Sequence, residues 1–67
     1  MDGVEYFDNC KAEEETDKAL LVSIPDIDSD PIWVPKSQIH DDSEVYELGH
    51  TGILAVKSWW AEKQGWI

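Results

Sequence analysis

The apolar runs in this 67-residue sequence are short, and each is flanked on at least one side by an acidic residue, a proline or a glycine. Residues 18–24 (KALLVSI) end at Pro25, and Ile32-Trp33-Val34 stops at Pro35. Residues 53–56 (ILAV) follow the glycine-flanked GHTG at 49–52. Short runs of this kind, bounded by turn chemistry, read as strands. The acids fill the gaps: seven lie in residues 1–17, three in 26–30 (DIDSD) and four in 41–47. Alternating strands and charged turns produce that interleaving, and charged turns also discourage edge-to-edge association.

Val4 and Tyr6, with Phe7, begin a first strand whose Glu5 and Asp8 point outward. Glu13-Glu14-Glu15 either opens a helix, where carboxylates favour the dipole, or makes a charged hairpin turn. Residues 18–24 and 32–34 pair as an antiparallel hairpin across the turn-forming residues 26–31. Residues 37–39 make a single helical turn with Ile39 packing inward, and residues 40–43 (HDDS) a polar turn. Val45, Tyr46 and Leu48 suggest a further short strand, and residues 49–52 a tight turn, because both glycines can take positive φ. Ser58 is a good N-cap for a helix over 59–64 closed by Gly65. The expected fold is mainly β with a short C-terminal helix. It is a small antiparallel meander or a Src-homology-3-like half-barrel of four to five strands, in a single acidic domain over residues 1–67.

A chain this short buries only about 60% of its unfolded surface, so its core is marginal. Cys10 is the only cysteine, which excludes an intramolecular disulfide; a homodimer is one way to add buried surface. The acidic start lacks an apolar signal core, and no apolar run approaches the roughly 20 residues of a membrane span. The expected setting is the cytoplasm. Fifteen acids face five lysines and no arginine, for a formal charge of -10. That exceeds the magnitude of about 2–8 that serves solubility, and self-repulsion at this level weakens a small fold. Such a charge repels nucleic acid and anionic membrane and attracts basic proteins. Without arginine, bidentate phosphate recognition is absent as well. The tryptophans at 33, 59, 60 and 66 could form a stacking platform for single strands only beside a basic groove. They read instead as core, with Trp33 in a central strand and one of Trp59 and Trp60 inward, since adjacent helix residues point about 100° apart. A tryptophan left outside suits a protein–protein contact.

Catalytic and metal patterns are sparse. Asp26, Asp28 and Asp30 match the opening of a calcium loop, but Pro31 stands where glycine is needed and Ser37 where the bidentate glutamate belongs. They read as turn aspartates. Cys10, His40 and His50, with Asp41 or Asp42, are dispersed and lack zinc-ligand spacing. A Cys10–His40 nucleophile and base would have no third residue or oxyanion loop. The chain is therefore expected to be non-enzymatic, with no catalytic residues, metal or cofactor. A small metal-dependent or thiol enzyme is the rival from another class.

Residues 33–39 (WVPKSQI) and 52–65 (GILAVKSWWAEKQG) carry a resemblance. The stretch is similar to small proteins of phages and bacterial mobile elements that carry W-[IV]-P-K-S-Q-I and G-x-L-x-V-x-x-W-W-A-x-K-x-G motifs. The stretch that holds both motifs, residues 32–66, covers about half of the chain and marks a family without marking a chemistry. In size, charge and lack of arginine the chain also resembles acidic anti-CRISPR and anti-restriction proteins, which commonly act by imitating DNA. The resemblance implies a non-enzymatic inhibitor in the cytoplasm of a bacterial host. It would occupy the DNA-binding groove of a CRISPR surveillance complex or a similar basic enzyme. The expected partner-binding acids are those of the turn blocks, Asp26, Asp28, Asp30, Asp41, Asp42, Glu44 and Glu47. Glu13, Glu14 and Glu15 come second, with Trp60 as an aromatic contact. The alternative is a protein–protein interaction module accessory to phage or plasmid replication or recombination, using Trp60 or Trp66 and Tyr46.

Overall fold

The apolar runs at 18–24, 32–34 and 53–56 all form strands. A computed structural model describes residues 3–67; Asp2, in the leading acidic block, lies outside the described residues. The elements are β1 (Val4–Glu15), β2 (Ala19–Ser23), β3 (Ile32–Pro35), a 3-10 turn (Lys36–Gln38), β4 (Thr51–Lys57) and α1 (Ser58–Lys63). The strands make one antiparallel sheet in the order β3-β2-β1-β4. The fold is thus mainly β with one short C-terminal helix, and its strands number four among the described residues. Val45, Tyr46 and Leu48 do not form the further strand. Strand alternation that buries Val45 would also turn Glu47 inward, and the chain turns at residues 47–49 instead.

The sheet is curled. Ile39 bridges Val56 on the side of β4 away from β1. In a flat sheet with strands about 4.8 Å apart, that side lies roughly 19 Å from β3. The link from Pro35 to Ile39 could span at most about 14 Å fully extended, and a 3-10 turn shortens it further. Curling brings the chain leaving β3 against the free edge of β4. The concave side holds the core, where Leu20, Val22, Val34, Val45, Leu54 and Val56 are fully buried. The Cα radius of gyration is 10.5 Å.

β1 does most to shape this curl. Its first part pairs with β4, from Val4↔Lys57 to Lys11↔Thr51, and its last part pairs with β2, from Lys11↔Ser23 to Glu15↔Leu20. Two bulges bend it. Between Phe7↔Leu54 and Cys10↔Gly52, β1 advances three residues while β4 advances two. Asn9 takes the extra place at φ 59°, a left-handed conformation that asparagine tolerates better than most residues. The second bulge falls between Ala12 and Glu14. Phe7 is inward and its neighbour Tyr6 outward, and the first bulge resets the inward phase beyond Phe7 so that Cys10 and Ala12 are buried with it. The expectation of Glu5 and Asp8 outward holds for Asp8 alone; Tyr6 takes the exposed place, and Glu5 is half-buried, accepting a bond from the Ser58 hydroxyl.

Three further expectations change. Glu13, Glu14 and Glu15 neither open a helix nor form the turn; they are the last residues of β1. The turn is residues 16–18, closed by Thr16 N–H donating to Ala19 O at 2.9 Å and Ala19 N–H to Thr16 Oγ1 at 3.0 Å. Trp33 is 48% exposed rather than in the core. β3 is the last strand of the ladder, and Val34 takes the inward position beside it. Lys57, not Ser58, is the N-cap of α1, because the Ser58 hydroxyl donates to Glu5 Oε2 at 2.9 Å. The helix does end at Gly65, with φ 82°. Gly65 N–H bonds to Glu62 O and Trp66 N–H to Ala61 O, the paired bonds of a Schellman cap. That cap returns Trp66 onto Phe7 and Trp60, at ring-centroid distances of 5.6 and 4.9 Å.

Candidate partner-binding surface

Residues 40–45 lie along the free edge of β4 and satisfy its backbone without forming a regular strand. His40 N–H donates to Ala55 O at 2.8 Å, and Glu44 N–H to Ile53 O at 2.9 Å. Side chains supply the rest of the ladder. The Glu44 carboxylate accepts Ile53 N–H at 2.9 Å. The buried Ser43 hydroxyl accepts Ala55 N–H at 3.0 Å and Val45 N–H at 3.2 Å, and donates to Val45 O at 2.7 Å. Side chains in place of main-chain partners leave this segment irregular while keeping the edge covered, which blunts it against unwanted pairing.

This arrangement displays part of the acidic block at 41–47. Asp41, Asp42 and Glu47 are exposed. Asp42 accepts a bond from the Tyr6 hydroxyl at 3.3 Å. The Tyr6 phenol is held above its usual range by lost hydration and then by the Asp42 carboxylate, so it stays a neutral donor near pH 7. Glu47 Oε2 lies 3.8 Å from His50 Nε2. The ring of His50 meets Tyr46 edge-on at 4.5 Å. Glu44, by contrast, is committed to the fold. A Cβ at Gly52, whose φ is 126°, would stand 2.5 Å from Glu44 Oε1. Gly52→Ala is therefore expected to cost more than about 1 kcal/mol in denaturant unfolding, whereas Gly49→Ala meets no neighbouring atom and carries only backbone strain.

The other candidate acids divide in the same way. Glu13 accepts from the Ser23 hydroxyl at 2.8 Å. Glu15 pairs with Lys36 and accepts Leu48 N–H at 3.0 Å, while Glu14 is exposed on β1. The Lys36 hydrogen bond, followed by the Leu48 N–H, holds the Glu15 carboxyl below its ordinary value. Its stabilising contribution is then complete above the unfolded value near 4.5 and is lost as pH falls through the lower folded value. Glu15→Gln should be less stable than the parent at pH 7, with the two thermal midpoints converging once the pH has fallen below the lowered folded value. Asp28 forms a turn by accepting Asp30 N–H at 3.2 Å, while Asp26 and Asp30 are exposed. Among the described residues, no hydrogen bond joins the aspartates of 26–30 to residues 41–47.

The aromatic expectation is corrected. Trp60 is only 8% exposed and packs in the core, so it is not a surface contact. Its neighbour Trp59 is the outward member, at 52%. Two open grooves flank His40. One, of about 280 Å³, is lined by Lys36, Ile39, His40, Asp41 and Tyr46. The other, of about 380 Å³, is lined by Gly3, His40, Lys57 and Trp59. Sequence reasoning missed Ser43 and Trp59 as important positions. The WW pair signalled that one tryptophan must point out, but only packing decides which.

Cys10 and His40 do not form a reactive pair. Cys10 is 1% exposed, with Sγ 3.3 Å from Phe7 O, and His40 Nδ1 accepts Asp42 N–H at 3.1 Å. Burial is the main cause raising the Cys10 thiol to about 11; nearby Asp26 and Asp8 raise it further, against a lowering bond from Leu54. Thiol reagents at pH 8 should leave Cys10 unlabelled in the folded protein and modify it promptly in denaturant, because the thiolate is the nucleophile. Among the described residues, no cluster of three His, Cys, Asp or Glu is placed to hold a metal ion. Among them also, no helix is long and apolar enough to cross a membrane. No family model matches the chain, and no curated protein or solved structure matches it.

Proposed function

We propose that this domain is a non-enzymatic acidic inhibitor that binds a basic, nucleic-acid-binding protein in the place of DNA. The observation that carries the reading is the near absence of internal neutralisation. Against a formal charge of -10, Lys36–Glu15 is the one lysine–carboxylate pair among the described residues. The remaining field is available to an outside partner. Residues 41–47 carry four carboxylates along a segment that spans at most about 21 Å. One DNA strand presents roughly six phosphates in that length. With Glu44 engaged by Ile53 N–H, the three free carboxylates give the segment roughly half the charge density of a single strand, held against the edge of β4. The target class that suits the reading best is a CRISPR surveillance complex or a similar nucleic-acid-binding enzyme in a bacterial cytoplasm.

Affinity capture from bacterial lysate, read by mass spectrometry at low and high salt, tests this. The expected catch is a basic nucleic-acid-binding protein released by salt and by competing duplex DNA. Capture that ignores both sinks the proposal. Salt should meanwhile raise the thermal midpoint of the isolated domain by screening its self-repulsion. A second reading, an interaction module accessory to phage or plasmid replication or recombination, is favoured by the exposure of Tyr46 and Trp59, at 53% and 52%. It predicts alanine effects at these aromatics larger than those of acid reversal, with little salt dependence.

A further inference from the structure

We infer that the two grooves flanking His40 form one docking site for an extended basic peptide segment of a partner protein, with apolar side chains seated on either side of His40 and an arginine or lysine meeting Asp41 and Asp42. The inference rests on the reading of the partner as a basic protein and assigns where a chain segment of that partner would lie.

The grooves adjoin because His40 lines both. Each has an aromatic residue, Tyr46 in one and Trp59 in the other, and Ile39 adds an apolar wall beside Tyr46. At about 280 and 380 Å³ they sit at the low end of small-molecule pockets, which begin near 300 Å³. Two small open grooves in a row suit successive side chains of an extended segment better than one compact ligand. Extended, proline-bearing segments dock in aromatic-lined grooves at little conformational cost. Charge selects the sign of the segment. Asp41 lines the first groove, and Asp42 lies 3.6 Å from His40 Nδ1. Lys36 is already neutralised by Glu15, leaving Lys57 as the one lysine at the grooves outside a salt bridge among the described residues. The two aspartates outweigh it, and the whole-molecule field adds to them. An acidic segment would be repelled.

The test titrates the 67-residue chain with a short synthetic peptide in which Pro and Leu flank Arg, following amide and indole chemical shifts. Saturable shifts at His40, Tyr46 and Trp59 are expected. Trp59→Ala and Tyr46→Ala should each weaken binding about tenfold, as anchor residues do. Trp33→Ala should leave it unchanged, since Trp33, although 48% exposed, lines neither groove. The same peptide with Glu in place of Arg should not bind. Circular dichroism checks that each variant is folded. No saturable binding by the Arg peptide, equal binding by the Glu peptide, or an equal loss with Trp33→Ala overturns the inference. The proposed function fails separately. If Trp59→Ala and Tyr46→Ala leave salt-sensitive capture of a nucleic-acid-binding protein intact, the inhibitor reading stands and the groove assignment falls.

Discussion

Reversing Asp41, Asp42 and Glu47 to lysine should lower affinity for a basic partner by more than a hundredfold while leaving the domain folded. Each reversal shifts the charge by two units, so the three take it from -10 to -4. If each lost contact is worth about 1 kcal/mol, removing three already gives roughly a hundredfold, and the introduced repulsion adds to that. All three side chains are exposed, so the fold loses little beyond the Tyr6–Asp42 bond and the exposed contacts of Asp42 with His40 and Glu47 with His50. Glu44 is left out because its carboxylate holds Ile53 N–H; reversing it would confuse binding with unfolding. The measurement is equilibrium binding to the captured partner across a salt series. Both a lower affinity and a shallower salt dependence are expected. An affinity that survives the triple reversal would end the charge-based reading of this surface.

Ser43→Ala should be the most damaging single polar substitution in the domain. One hydroxyl accepts Ala55 N–H and Val45 N–H and donates to Val45 O, in a residue only 5% exposed. Removing it strands buried main-chain groups, each costing roughly 1–3 kcal/mol. A loss of about 2–4 kcal/mol is large against the roughly 3–10 kcal/mol expected for a chain of this length. The thermal midpoint should fall by about 14–28 °C, at roughly 7 °C per kcal/mol for a chain of this length. Ser29→Ala, at an exposed turn, should be nearly silent and serves as the control. A Ser43→Ala variant as stable as the parent would show that the edge of β4 does not depend on that hydroxyl. Because Ser43 anchors the segment carrying Asp41, Asp42 and Glu47, the same substitution should also weaken partner binding.

These two positions differ in how far the sequence discloses them. The carboxylates at 41, 42 and 47 are visible as a charged block between apolar runs, because exposed charge is read directly from composition and spacing. Ser43 sits in the same block and looks like an ordinary turn residue. Its role depends on Ala55, 12 residues away, and nothing local marks that meeting. Trp33 and Trp60 make the same point in opposite directions. Hydrophobicity alone ranks them equally, yet one lies outward on the last strand of the ladder and the other closes the core. Tyr6 and Phe7 are adjacent, and the bulge at Asn9 decides how the inward phase continues from Phe7.

By itself the sequence determined the strands within 18–24, 32–34 and 53–56, the hairpin between β2 and β3, the helix ended at Gly65 and the large negative charge. Each is a local property: a run length, a turn residue, a glycine free to take positive φ, a count of carboxylates. The tertiary structure alone decided which acids are spent on the fold and which remain free, which tryptophans face solvent, and that residues 40–45 cover the edge of β4. Those outcomes follow from the bulges and curl that bring distant residues together, such as Glu15 and Leu48 across 33 positions. Such meetings depend on strand register and sheet curvature, which no short window of sequence contains.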